Sequence, residues 1–184
     1  MTTALFRARS EKGLDDCTPK QFDFAEPRFV SEGRYNHAGQ PTLYLADSEK
    51  TCFHELRRSS CVIGEIRLGG TLKVLDLVNP YEHHKDFCDI LNALVFSALL
   101  STPQEDEGYR KPAYVFSRFV ADCARYSGFD AIRYPSTRAN PSAQNLVVLS
   151  TDFAIGVGSQ LIKLTRFDGS KSTPVSEQND AFVE

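Results

Sequence analysis

Apolar residues recur along this chain at two periods, and the switches between them mark out its elements. Leu5 to Arg9 reads as a short strand carrying two arginines. Thr42 to Ala46 alternates and is rich in β-formers, so it is a second strand, with Leu43 and Leu45 on one face and Tyr44 on the other. Asp47 or Ser48 then caps a helix running to about Arg58, with Glu49 favourable in its first turn. Cys61–Leu68 and Thr71–Leu77 read as a hairpin closed by Gly69-Gly70, and Asn79-Pro80 stops its second strand. Phe87, Ile90, Leu91, Leu94, Val95 and Ala98 recur at helical spacing, which predicts a helix from Asp86 to Ser101 with one core face. A charged loop over 102–111 follows. Pro112 suits the first turn of a further helix and Gly128 its C-terminal end. Strands are predicted over Asp130–Tyr134, ending at Pro135, and over Asn145–Ser150 and Leu161–Phe167.

The segment 10–32 is polar and irregular, broken by Pro19 and Pro27. Helices and strands mix without regular alternation, which predicts an α+β fold, a compact single domain over 1–167 with mixed twisted sheets flanked by helices. The remainder, 168–184, is Gly/Ser/Pro-rich and charged and reads as a disordered tail. No internal repeat is present. No G-x-G-x-x-G follows a strand, and Gly156-x-Gly158 reads as a turn.

Charge narrows the partners. The 184 residues carry 21 basic and 24 acidic side chains. A polyanion-binding surface needs a basic excess, so direct nucleic-acid binding is not expected. No apolar run approaches the ~20 residues of a membrane span. The first residues lack the layout of a secretion signal, and a cytoplasmic site of action is expected. The five cysteines are odd in number with no C-x-x-C pair, which suits reduced core thiols. Glu82-His83-His84-Lys85-Asp86 has no zinc-site spacing and reads as a solvated approach to a helix, so no metal site is expected.

A few polar residues stand where chemistry could be done, each with an ordinary alternative. Glu55 lies at the edge of an apolar helix face; with Arg58 and Ser59 three and four residues on, it is either a site carboxylate or half of a helix-surface ion pair. Arg34 follows Gly33, which lets the backbone approach a ligand; its planar fork suits phosphate oxygens, or it is an exposed loop arginine. Asn36 is a turn residue or a ligand donor. Tyr44 faces a cleft or solvent and could stack on a ring. Ser136 follows Pro135 at a strand end; without a G-x-S-x-G elbow it is not a nucleophile, but a phosphate donor, a positioner of Glu55 or a loop cap. Arg138 and Asn145 are further candidates.

The order and spacing of Gly33-Arg34-Tyr35-Asn36, Leu43-Tyr44-Leu45-Ala46, Glu55, the run Gly128 to Ser136 and Asn145-Leu146-Val147-Val148-Leu149 closely resemble the RES-domain family. The resemblance covers roughly residues 5–155; one departure is Tyr35, where tryptophan or phenylalanine is expected. The family is named for an arginine, a glutamate and a serine, here Arg34, Glu55 and Ser136. It is best known for toxins of RES–Xre toxin–antitoxin pairs, with a fold like that of ADP-ribosyltransferase toxins.

The resemblance implies an enzyme that consumes NAD as substrate, without a cofactor, by cleaving the nicotinamide–ribose bond. The acceptor is inorganic phosphate or water, as in an NAD phosphorylase or NAD glycohydrolase. It implies Glu55 and Arg34 as catalytic residues, with Arg7, Arg34, Asn36, Tyr44, Ser136, Arg138 and Asn145 around the substrate. Arg7 resembles the arginine of the family's first strand, although Arg9 points the same way. An Xre-like antitoxin or an immunity protein is the implied partner, in a hetero-oligomer. The rival readings are an ADP-ribosyltransferase acting on a protein target and a non-enzymatic nucleotide- or partner-binding module.

Overall fold

The computed structural model describes residues 4–175 apart from 13, 15–16, 84–85, 87–88, 91, 94, 96–113 and 141. Most of the helix expected over Asp86–Ser101, the loop over 102–111 and the tail from 176 lie outside the described residues.

Eight strands form one mixed sheet: β1 (Leu5–Ser10), β2 (Leu43–Ala46), β3 (Cys61–Leu68), β4 (Val74–Asp76), β5 (Ala131–Pro135), β6 (Gln144–Val148), β7 (Ser159–Phe167) and β8 (Ser172–Pro174). Their order across the sheet is β4-β5-β6-β2-β1-β3-β7-β8. Every neighbouring pair is antiparallel except β4 and β5. Among the described residues the named helices are α1 (Pro19–Phe22), α2 (Glu49–Glu55), α3 (Pro80–His83) and α4 (Val115–Tyr126). The α+β class stands, built on a single sheet. No helix among the described residues is long and apolar enough to cross a membrane.

Period-two alternation sorts the core between the two faces. Tyr44 and Val147 join Tyr35, Tyr134, Ala121 and Ala124 in the cluster under α4. Their chain neighbours Leu43, Leu45 and Val148 join Ile66 and Leu68 on the opposite face. A third cluster, with Ala46, Cys52, Cys61 and Ile63, seats α2 on the sheet.

The predicted β3–β4 hairpin does not form. β3 is claimed on both sides, by β1 over six residue pairs and by β7 over eight. Gly69 donates its N–H to the carbonyl of Gly158 at 2.8 Å, and β4 lies at the far edge beside β5. Long pairings outcompete the local Gly-Gly signal, because each ladder residue adds burial and hydrogen bonds that a tight turn alone does not. The irregular 10–32 segment holds two short helical turns, and Pro19 and Pro27 open them. The sheet also runs further along the chain than the alternation indicates, since Ser172–Pro174 pairs with β7.

Helix ends follow local chemistry closely. The Ser48 side chain accepts from the Thr51 N–H at 3.1 Å and caps α2. Helix α2 stops at Glu55, short of Arg58, because Arg57 and Arg58 take left-handed φ values of 56° and 60°. The Arg58 N–H then reaches back to the Phe53 carbonyl at 2.9 Å. Gly128 ends α4 in the same way at φ 71°. An L side chain costs about 1–2 kcal/mol in this region and glycine almost nothing. Arg58→Gly is therefore expected to raise unfolding stability by roughly 1 kcal/mol, and Gly128→Ala to lower it by a similar amount. Paired denaturant titrations check both directions.

Candidate active site

Glu55, the last residue of α2, is where the distant parts of the chain meet. Its Oε1 accepts from the Ser136 hydroxyl at 2.7 Å and from the Asn145 side-chain amide at 2.8 Å. Its Oε2 lies 3.8 Å from Nε of Arg138. The Ser136 oxygen in turn accepts the N–H groups of Arg138 and Ala139 at 3.2 and 3.1 Å, which folds the loop after β5 around the carboxylate. Neutral donors thus fix one oxygen, and the other keeps a longer, partly solvated ion pair. The helix-surface ion pair with Arg58 does not form, because the left-handed turn carries the chain away after Glu55.

The start of α2 is fixed as firmly as its end. Asp47 accepts from the Thr51 hydroxyl at 2.6 Å and from the Gln144 N–H at 2.9 Å. This bond ties the helix to β6, one residue from Asn145, so the strand that holds the helix also supplies a donor to its last residue.

Glu55 borders a cavity of about 250 Å³ walled by Arg7, Arg9, Tyr44, Cys52, Tyr134 and Asn145, among others. Arg7 is 7% exposed, and its Nε and Nη1 meet no hydrogen-bond partner among the described residues. Burial, with the neighbouring charge of Arg9, pushes its guanidinium down to about 9. Burial raises the Cys52 thiol, so it stays protonated and is no nucleophile despite its place on the wall. Among the described residues no group of three or more His, Cys, Asp or Glu side chains could hold a metal ion.

Tyr44 presents its ring to the cavity but commits its hydroxyl elsewhere. The phenol accepts the Tyr35 N–H and donates to Asn36 Oδ1, both at 2.9 Å, and burial pushes it up to about 12. The Asn36 amide nitrogen donates to the carbonyls of Ser31 and His37, so both ends of its side chain hold the turn. Gly33 is needed there: a Cβ would fall 2.2 Å from Asn36 Oδ1 and 2.8 Å from the Tyr44 hydroxyl. The clip aims Arg34 at the Ser136 loop, where Nη2 donates to Thr137 Oγ1 at 3.1 Å and the guanidinium lies 5.1 Å from the Tyr114 ring centre.

The candidates named from sequence therefore divide. Glu55, Arg7, Tyr44 and Asn145 share the cavity wall, and Ser136 and Arg138 join it through Glu55. Arg34 reaches the site's edge through Thr137, and Asn36 stays in its turn. Sequence reading left Arg9 unassigned and missed the Tyr134 wall. The Arg7-x-Arg9 alternation carries the first signal; nothing local carries the second, since Tyr134 is placed by its 4.7 Å ring contact with Tyr35.

A carboxylate held by neutral donors and a buried arginine thus line one small cavity. The chain belongs to the RES domain family, whose model matches residues 4–164. A chain of the M. tuberculosis MbcT–MbcA toxin–antitoxin complex is similar in fold, with a TM-score of 0.57 at 16% identity, over 92% of this chain and 86% of that one. No curated protein matches the sequence.

Because the Tyr44 hydroxyl holds the Gly33–Asn36 turn to β2, Tyr44→Phe should destabilise the fold by about 1–3 kcal/mol, leaving the Tyr35 N–H unpaired. Thermal denaturation reads the loss; an unchanged midpoint would mean the clip contributes nothing.

Proposed function

We propose that this protein is an NAD-consuming toxin that breaks the bond between nicotinamide and ribose. The observation that carries the reading is the Glu55 carboxylate, fixed by Ser136 and Asn145 on the wall of a cavity that also holds the buried Arg7 guanidinium. Membership of the RES domain family supports it.

The chemistry needs little more. Nicotinamide leaves as a neutral base, so no general acid is required, unlike the alkoxide departure that obliges ordinary glycosidases to use two carboxyl groups. The demand is to stabilise a sugar cation as the bond stretches. A carboxylate held in place by two donors meets it without reorganising. Ser136 and Asn145 position Glu55. Arg7 meets phosphate oxygens, and the Tyr44 and Tyr134 rings offer flat apolar surface. The cavity, about 250 Å³, is at the small end for ligand sites, which commonly span ~300–1,000 Å³, so part of the dinucleotide extends past its mouth.

Whichever nucleophile the pocket orients on the open face of the sugar captures it. The cationic wall favours inorganic phosphate over water, hence phosphorolysis over hydrolysis. Such an enzyme needs restraint in its own cell. The similarity to a chain from a toxin–antitoxin complex supports a protein antitoxin that covers the cavity.

Purified protein incubated with NAD, with and without inorganic phosphate, tests the reading by mass spectrometry. Loss of NAD with a phosphorylated ADP-ribose product is expected when phosphate is present. ADP-ribose in both buffers would mean a glycohydrolase. Intact NAD in both would overturn the reading in favour of a target-dependent transferase or a binding module.

A further inference from the structure

The peptide unit between Arg34 and Tyr35 is held from two sides. Its N–H, that of Tyr35, donates to the Tyr44 hydroxyl on β2 at 2.9 Å. Its carbonyl, that of Arg34, accepts from the Ser117 hydroxyl on α4 at 2.6 Å. A peptide unit is planar, so a bond at each end fixes its plane, and with it the direction in which the Arg34 side chain leaves the backbone. Ser117 is 1% exposed, and a buried hydroxyl needs a partner. A serine inside a helix can bond back to its own chain. Here the Tyr114 carbonyl, three residues back, lies at 3.1 Å, and the shorter contact is the one across to the loop.

The rest of that helix edge meets the same segment. Ser117, Arg118 and Asp122 follow Tyr114 by three, four and eight residues, so the four share one edge. The Arg34 guanidinium lies 5.1 Å from the Tyr114 ring centre. Arg118 pairs with Glu32 at 3.4 Å, and Asp122 meets the His37 ring at 2.8 Å. These contacts all fall on residues 32–37, and none of the four helix-edge residues lines the cavity. The helix itself is anchored, since Ala121 and Ala124 are buried in the core cluster on the sheet.

We infer that Ser117 is a positioning residue for Arg34. Through the carbonyl it holds, α4 sets the direction of the guanidinium, which reaches Thr137 beside Ser136. Tyr44 secures the turn to the sheet, and Ser117 orients the arginine within it. The consequence for turnover rests on the NAD reading, in which Arg34 acts on the substrate; the hold on Arg34 does not.

Two readouts on the full chain carrying Ser117→Ala test this. The first needs no catalysis. The Nε–H signal of Arg34 in a nitrogen–proton correlation spectrum is identified by its absence in Arg34→Lys. It should shift and broaden in Ser117→Ala, while the signal of Arg133, bonded to Gln144 at 2.9 Å, stays in place. His37→Ala removes only the outer, exposed contact with Asp122 and should move the Arg34 signal less; it serves the same test if Ser117→Ala folds poorly. The second readout is NAD turnover at matched folded concentration. Ser117→Ala should lower it by roughly tenfold, since a small misplacement of a working group is enough for that. The loss should fall in the same parameter, kcat or KM, that Arg34→Ala changes, and should vanish when Arg34 is already alanine. A serine that only supports the fold would lower turnover equally in both backgrounds. An unmoved Arg34 signal, or losses that multiply in the double variant, would overturn the assignment. A moved signal in a protein that leaves NAD intact would sink the NAD reading and leave the positioning role standing; NAD loss by the parent with an unmoved Arg34 signal would do the reverse.

Discussion

The Glu55 carboxylate is the point on which the arrangement turns. Its two donors come from 81 and 90 residues further along the chain, one on the loop after β5 and one on β6. A single oxygen therefore gathers the end of a helix, a strand and a loop. Removing either donor would leave the other bond in place but free the carboxylate to rotate towards Arg138. The Asp47 bonds make this economical, since they pin the opposite end of the same short helix to the same strand. Fold and site share these contacts, so the geometry at the cavity is set by the pairing of β2 with β6 and not by the loops alone.

Charges of both signs line the cavity. Glu55 is met on one oxygen by neutral donors. Arg7 and Arg9 stand on β1, where burial disfavours the charged guanidinium. A buried arginine with a second arginine two residues away works against stability. The raised thiol of Cys52 makes it a poor nucleophile, and the hydroxyl of Tyr44 is committed to Asn36.

Local signals in the sequence were reliable where the physics is local. Alternation around Tyr44 placed its ring opposite Leu43 and Leu45, and Ser48 and Gly128 sit at helix ends as their chemistry requires. The same kind of reasoning failed where distant partners compete. Gly69-Gly70 signalled a hairpin, but β1 and β7 hold β3 on both sides. Arg58 and Ser59 offered Glu55 a helical partner, but the helix ended first. The shared motif with the RES family pointed to Glu55 and Ser136 together, which spacing alone could not do. Their contact at 2.7 Å is a fact of the fold, as is the capture of Asn36 by its own turn. Arg9 was legible in principle from strand alternation, but no local rule says that an arginine will line a cavity.

Nicotinamide release from NAD, measured for the parent protein and for Glu55→Gln at matched folded concentration, tests the central claim most directly. The amide keeps the size of the side chain and removes its charge. The account predicts a fall of roughly 10²-fold or more with the melting midpoint little changed. Near-parental release by Glu55→Gln would contradict it, and would move the chemistry away from this carboxylate.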